Sequence, residues 1–240
     1  MTQVAAETLG LPIERVKFML GDTRLPRAPV HGGSMTMASV GSAVQAACEA
    51  LGKKLRALAG NETDASPEQV LRKHGLNRLE AEAESKPGDE SEKYASAAFG
   101  AIFAEVRVDP AFGTVRVPRL VGAYDAGRIV NPMIARSQCV GGMVGGIGMA
   151  LLEAAEWDER LGRVMNANLA EYLVPVCADV GELDVTFVPS EDTIFNPLGV
   201  KGLAEIALCG VAPAIAEAVW HATGRRVRDL PIRVEDLLAE

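Results

Sequence analysis

Five glycines within one predicted helix constrain this 240-residue chain more than any other feature. Asn131 and Pro132 form a helix start, since asparagine caps helix N-termini and proline fits the first turn, and apolar residues continue to about Glu156. Each interior glycine costs about 0.5–1 kcal/mol relative to alanine. Something must therefore lie close to this backbone: a tightly packed helix or strand, or else a bulky cofactor or the second half of a larger molecule. The five are Gly141, Gly142, Gly145, Gly146 and Gly148.

Helical and strand-like patterns alternate irregularly along the chain. In addition to the glycine-rich helix, helices are predicted over residues 3–9, 40–58, 67–73 and from Pro213 to Gly224. Strands are predicted over 16–20, 102–108 with 114–117 as a hairpin, a further strand to Tyr124, 167–176, 185–188 and in the tail from Leu230. This mixture predicts an α+β fold of two-layer α/β sandwich lobes with small mixed sheets. One lobe covers residues 1–95, with an acidic solvated excursion at 61–93, and the other covers 96–240.

Bulk properties narrow the classes of function. The net charge of −8 argues against nucleic acid or an anionic membrane as the main partner. No apolar run approaches the roughly 18 residues of a membrane span. The N-terminus has no signal peptide pattern and reads like the middle of an amphipathic helix, which suggests a missing upstream part. The four isolated cysteines are expected to be small buried hydrophobic residues rather than metal ligands.

The stretch from Asn196 to Glu205, with sequence NPLGVKGLAE, combines a turn signal with two glycines and two charges directly before a helix. A desolvated carboxylate has a raised pKa, as a general base working near neutral pH needs. Glu205 could therefore be such a base. The alternative is a solvated pair of Lys201 and Glu205 at a helix start, which residue types alone do not exclude.

A second glycine-rich loop, Gly32-Gly33-Ser34-Met35-Thr36, also precedes a predicted helix. Glycines let the backbone approach a ligand, and helix N-termini offer free N–H groups and a positive dipole end to anions. The loop is thus a candidate anion or phosphate site. Neither loop matches the P-loop or the Rossmann fingerprint, and no nucleophile elbow is present.

Several separate motifs, taken in order, resemble one known family. The motifs are 125–132 (DAGRIVNP), 137–142 (SQCVGG), 146–151 (GIGMAL), 166–175, 196–205, 212–216 (APAIA), 222–224 (ATG) and 230–231 (LP). In these motifs the chain is similar to the C-terminal part of the molybdopterin-binding subunit of the xanthine dehydrogenase/aldehyde oxidase family, in particular the large subunit of bacterial three-subunit aldehyde oxidoreductases. The resemblance covers nearly the whole chain, and it implies a fold of the molybdopterin-binding-domain type.

The resemblance implies roles for residues of both loops. Glu205 matches the family's active-site base. The cofactor is implied to be molybdenum–molybdopterin, in its cytosine dinucleotide form, and the backbone of Gly33 would lie near the molybdenum ligand sphere. The glycine-rich helix would pack beside the pterin. The residues implied to contact the cofactor are Gly32, Gly33, Ser34, Met35, Thr36, Gln138, Lys201, Gly202 and Ala204.

The resemblance also implies partners. An N-terminal molybdenum domain, which this chain lacks, an iron–sulfur subunit and an FAD subunit would complete an enzyme that oxidises aldehydes or hydroxylates N-heterocycles using water. The alternative is a non-catalytic assembly module that keeps the fold but needs the missing half to bind cofactor. The expected location is the cytoplasm, or the periplasm after export with a partner's signal. One departure is Ala204, since the family usually has glycine before the glutamate.

Overall fold

The computed structural model describes residues 1–61 and 65–238, which form two compact units. The first unit contains Met1–Ala97 and Glu191–Lys201, and the second contains Ala98–Ser190 and Gly202–Glu240. Helices and small sheets occur together, so the predicted α+β class is confirmed. The segment Glu191–Lys201 lies with the first unit although it follows most of the second unit in the sequence.

In the described residues of the first unit, the regular secondary structure is helical. Helix α1 (Thr2–Leu9) ends at Gly10, whose φ of 65° is readily available to glycine. A π-helical turn at Met37–Gly41 leads into α2 (Ser42–Ala59), which ends at Gly60 as predicted. Helix α3 (Pro67–Lys73) begins with a capping box between Ser66 and Gln69. Single turns of 3₁₀ helix lie at Ile13–Arg15 and Asp89–Glu92.

The strand predicted at 16–20 was wrong. Val16 is extended, with φ −110° and ψ 127°, but the described part of the first unit contains no strand with which this segment could pair. An apolar, β-branched and aromatic segment favours extended backbone, yet a strand also needs a hydrogen-bonded neighbour.

The second unit is built on a three-stranded sheet. Strands β1 (Phe99–Asp109) and β2 (Thr114–Asp125) form the predicted antiparallel hairpin, although β2 is one continuous strand. After α4 (Pro132–Leu151) and a small hairpin of β3 (Trp157–Asp158) and β4 (Arg163–Val164), strand β5 (Glu182–Phe187) pairs in parallel with β2. The strand order is β1-β2-β5. Helices α5 (Glu205–Cys209) and α6 (Val211–Thr223) follow.

The helices pack against this sheet around one buried core. Leu120 and Tyr124 of β2 contribute to it together with Met143 of α4 and Ile215 of α6, and all four are completely buried. Asn131 caps α4 by accepting a hydrogen bond from the Ile134 amide, as expected. The run Glu205–Thr223 is long and apolar enough to cross a membrane, which the search for apolar runs missed. Its buried residues, which include Ala207, Val211 and Ile215, lie in the core.

Four expectations need correction. Residues 167–176 form turns and irregular backbone rather than a strand, and the tail forms a 3₁₀ turn at Val234–Asp236 without a strand. Helix α4 ends at Leu151, five residues before the predicted end at Glu156. Of the cysteines, Cys139 is buried and Cys48 is half-buried, whereas Cys177 and Cys209 are exposed, so the expectation of four buried thiols was wrong for the last two. Spacing shows that a cysteine is isolated but not which way it points.

The glycine-rich face of α4 packs against α5 and α6 of the same unit. A methyl group on Gly146 would lie 2.3 Å from Cβ of Val211, and one on Gly142 would lie 2.6 Å from the Ala204 carbonyl oxygen. Around Gly141, by contrast, nothing lies within 4 Å of such a methyl group. The first of the two explanations, tight packing of the chain's own helices, therefore accounts for the central glycines.

Candidate functional site

The loop Gly32–Thr36 forms a tight turn in the first unit. The Met35 amide donates a 3.3 Å hydrogen bond to the Gly32 carbonyl. Both residues between them have positive φ, 60° at Gly33 and 56° at Ser34, as in a type I′ turn. Glycine adopts this backbone freely, whereas serine is strained in it. The segment therefore holds a local conformation that its sequence does not favour at Ser34.

Open space surrounds this turn. A methyl group on Gly32 or Gly33 would meet no atom closer than 3.7 Å, and both glycines are exposed. The hydroxyl of Thr36 lies 2.6 Å from Nδ1 of His31. The backbone of the turn is thus open to a ligand, and its role as an anion-binding loop stays a prediction.

Two buried polar atoms follow the loop at the beginning of α2. Within the described residues, Oγ of Ser42 and Oε1 of Gln45 are buried and have no hydrogen-bond partner. Ser42 is only 2% exposed. Unsatisfied buried polar atoms are costly and rare, so each calls for a partner such as a water molecule or a ligand group. Sequence reasoning missed both residues, because their periodicity resembles that of any amphipathic helix.

Hydrogen bonds within the first unit brace the segment Glu191–Lys201. The buried amide of Asn196 donates to the Val200 carbonyl at 2.6 Å and accepts from the Val200 amide at 3.4 Å. Ser96 donates a 2.5 Å hydrogen bond to Asp192. This bond, with a smaller contribution from the charge of Lys201, lowers the pKa of Asp192. The segment that ends at Lys201 is therefore ordered by its own polar contacts.

The residue before Glu205 has an unusual backbone conformation. Ala204 has φ 56° and ψ −70°, and the Glu205 amide donates a 2.6 Å hydrogen bond to the Leu203 carbonyl. These are the features of a γ-turn with positive φ, which is rare and strained for a residue with a side chain. A glycine would adopt it with less strain. The departure from the family's glycine at position 204 therefore falls where glycine is best suited.

Helix α4 leaves room for this γ-turn. The absence of a side chain at Gly142 lets the Ala204 carbonyl oxygen approach to 2.6 Å from the position that a methyl group would take. The same carbonyl accepts a 2.9 Å hydrogen bond from the Ala207 amide at the beginning of α5. Gly142 thus permits the backbone of the turn that precedes Glu205, a relation that the sequence alone did not reveal.

Glu205 is the first residue of α5, and its side chain is exposed. Gln138, on α4, is exposed as well. The described chain agrees with the solvated alternative for Glu205, so burial of this carboxylate, if the base needs it, must come from groups outside the chain. Cys209, one turn later, is also exposed, and its thiol lies 3.2 Å from the Glu205 carbonyl.

The predicted site residues fall in both units. Gly32, Gly33, Ser34, Met35, Thr36 and Lys201 lie in the first unit, and Gln138, Gly202, Ala204 and Glu205 lie in the second. Within the second unit, the Ala204 turn and α4 are in contact through Gly142. Within the first unit, the open backbone of the glycine turn and the orphaned hydroxyl of Ser42 offer hydrogen-bond donors that fit a polar, anionic group.

Comparisons with known proteins agree with this chemistry. Residues 1–181 match the model of the molybdopterin cofactor-binding domain family. The chain is 40% identical, over 254 aligned positions, to the aldehyde oxidoreductase molybdenum-binding subunit PaoC of Escherichia coli K12. That alignment covers 99% of this chain but 34% of PaoC, so the chain spans about a third of the length of this curated relative.

Solved structures share the fold. The aldehyde oxidoreductase from Desulfovibrio desulfuricans has a TM-score of 0.82 and 25% identity, and the match covers 99% of this chain and 26% of that one. Quinoline 2-oxidoreductase from Pseudomonas putida has a TM-score of 0.84 and 24% identity, over 98% of this chain and 34% of that one. The resemblance stated from the motifs is therefore confirmed.

Proposed function

Because this chain belongs to the molybdopterin cofactor-binding domain family, we propose that it is the C-terminal part of the molybdenum-binding large subunit of an aldehyde oxidoreductase. The two compact units would be the two lobes of its molybdopterin-binding region. The 40% identity to PaoC supports aldehydes as the substrate class. The fold shared with quinoline 2-oxidoreductase makes an N-heterocycle the second candidate.

One observation carries the proposal. Among the described residues, Ser34 and Ala204 are the non-glycine residues with positive φ. Each falls in one of the two segments that the sequence predicts to contact the cofactor. Strained backbone persists where the surrounding structure enforces it, and it clusters at binding and active sites. The outlier within each predicted segment therefore supports a role of that segment in binding.

Some residues of this chain would bind the cofactor, and Glu205 would transfer a proton. The exposed turn at Gly32–Thr36 would direct backbone N–H groups and hydroxyls at the cofactor, and the amide of Gln138 would add donors. When bound, the molybdenum cofactor supplies the two-electron redox chemistry. Glu205 would accept a proton from the attacking oxygen at its carboxylate, and the γ-turn at Ala204 would hold that carboxylate in place.

The same family membership supports the finer parts of the proposal. The cofactor would be the cytosine dinucleotide form of molybdopterin. An iron–sulfur subunit and an FAD subunit would carry the electrons away, and the remaining two thirds of a PaoC-length subunit would complete the pocket. Since the chain alone leaves Glu205 exposed, the other part of the subunit would cover this carboxylate and exclude water from it.

Metal analysis tests cofactor binding. The chain would be purified alone, and also after co-expression with the rest of the subunit and its partner subunits in a host that makes the cofactor. We expect about one molybdenum per complex. A complex that assembles but never contains molybdenum contradicts the proposal and favours a non-catalytic assembly module.

Replacing Glu205 tests the assignment of the base. In the assembled complex, Glu205→Gln should keep its molybdenum and lose aldehyde oxidation by about 10²–10⁴-fold, because the amide cannot accept the proton. Glu159→Gln is the matched control, since Glu159 is exposed in the turn between β3 and β4. Normal turnover of Glu205→Gln would remove Glu205 from the mechanism.

A further inference from the structure

The segment Val16–Leu20 has the pattern of a strand with one covered face. Val16 and Phe18 are half-buried, whereas Lys17 and Met19, which alternate with them, are exposed. Val16 is extended. Successive side chains of a strand point to opposite faces, so this alternation is that of extended backbone seated on its own unit by one face. Leu20 at its end is 79% exposed.

The backbone of this segment has no ladder partner. The Val16 amide donates to the Ile13 carbonyl at 3.1 Å, and within the described residues no hydrogen bond involves the backbone of Lys17–Leu20. Every strand of the described chain lies in the second unit. The first unit therefore has helices and an extended segment but no described strand beside it.

The segment also carries exposed apolar side chains. Met19 is 56% exposed, and Leu20 is exposed beside it in the sequence. An extended apolar segment with unpaired N–H and C=O groups is a ready template for pairing, and proteins rarely leave one uncovered. This combination indicates a strand whose neighbour is supplied from elsewhere.

We infer that Val16–Leu20 pairs, through its main chain, with a β-strand of the two thirds of a PaoC-length subunit that this chain does not span. The inference rests on the proposed function in one respect, that the chain is part of such a larger subunit. Main-chain hydrogen bonds would provide the affinity, as in β-strand addition. The partner strand would also cover Met19 or Leu20, which the first unit leaves in water.

Hydrogen exchange tests the pairing directly. The chain would be studied alone and after co-expression with the part of Escherichia coli PaoC outside the matched region. Exchange of the amides in residues 17–20 should slow by at least about tenfold in the complex. No molybdenum is needed for this measurement, so the two proposals can fail separately. A protected strand in a complex that stays metal-free in a host that makes the cofactor would contradict the proposed function and leave the pairing intact.

Proline variants distinguish a ladder from a side-chain contact. Amides of successive residues point to opposite sides of a strand, so Lys17→Pro and Leu20→Pro, three positions apart, each remove a donor from a different side. At least one should weaken association by about tenfold or more, whereas Lys17→Ala should associate normally and Leu20→Ala should lose less affinity than Leu20→Pro. The folding of the chain alone should not change, because neither amide donates a hydrogen bond in it.

Three outcomes would overturn the inference. The first is failure of the two parts to associate, and the second is association that both proline variants leave unchanged. The third is protection of residues 17–20 in the chain alone together with dimerisation in analytical ultracentrifugation, which would assign the strand to a second copy.

Discussion

The helices α2 and α6 have similar apolar periodicity but very different burial. On α6, Val211, Ile215 and Val219 are completely buried against the second unit's core. On α2, the apolar stripe that includes Val44 and Leu51 is half-buried. All residues of this helix are described, and Ser42 is the one that is buried. Periodicity therefore predicted both helices equally well, and it did not reveal which one has a complete core.

This difference separates a unit whose apolar face is covered from one whose face is partly open. The second unit contains a sheet on which α6 lies, whereas the first unit has no strand in its described residues. Hydrophobic stabilisation is proportional to the apolar area removed from water, so equivalent substitutions should cost more in the second unit. The following predictions test that contrast, from the largest expected effect to the smallest.

Truncation of the buried face of α6 should have the largest effect. Ile215→Ala should lower the free energy of unfolding by about 2–5 kcal/mol, because a completely buried side chain leaves a cavity. Urea unfolding followed by circular dichroism measures the change. A cost below about 1 kcal/mol would show that this core is not packed as described.

Filling the glycine face of α4 should have the next largest effect. Gly146→Ala should destabilise the chain by about 1–3 kcal/mol, because its methyl group would overlap Val211. Gly141→Ala is the matched control, since open space surrounds Gly141, and it should stabilise the helix by about 0.5–1 kcal/mol. Equal effects of the two substitutions would contradict the packing of α4 on α6.

Two cysteines report on the same contrast without a mutation. Burial raises the pKa of the Cys139 thiol to about 11 and also raises that of Cys48 on α2. At pH 8 iodoacetamide should therefore modify Cys139 more slowly than Cys48, because the Cys139 thiol is fully buried and its pKa is raised to about 11, whereas Cys48 is half-buried.

Peptide mass spectrometry gives both rates, with the exposed Cys177 and Cys209 as references. A rise in pH toward the raised pKa should increase the modification of Cys139 while the chain stays folded. Equal rates at Cys139 and Cys48 would mean that α2 is covered as completely as the second unit's core.

Truncation on α2 should have the smallest effect. Leu51→Ala should cost about 1 kcal/mol in the chain alone, because a half-buried leucine has already left much of its surface in water. The same substitution should cost more after association with the rest of the subunit if that part covers α2. A cost in the isolated chain equal to that of Ile215→Ala would contradict the contrast.

Local signals predicted most of the fold. Proline and asparagine at the beginning of α4, glycine at the ends of α1, α2 and α6, and the turn between β1 and β2 all act within a few residues of each other, so they can be recognised in sequence. The errors have a different origin. The strand predicted at 16–20 lacks a partner, and 167–176 is held in turns, because hydrogen-bonded neighbours decide whether an extended segment is a strand.

The candidate site was predicted in the same uneven way. The ordered motifs led to the two glycine-rich segments and to Glu205, and family membership is confirmed. The assignment of Glu205 as a base stays a prediction. The orphaned atoms of Ser42 and Gln45 could not be predicted, because burial without a partner depends on neighbours far away in the sequence.

The sequence by itself determined the class of fold, the positions of the helices and the family. Helix caps, turn glycines and apolar periodicity are local, and motif order is a property of the chain alone. Only the tertiary structure decided what the glycines of α4 contact, that Ala204 is held in a strained γ-turn beside Gly142, and that α2 is less covered than α6. These features depend on which surfaces meet, and residues distant in sequence bring those surfaces together.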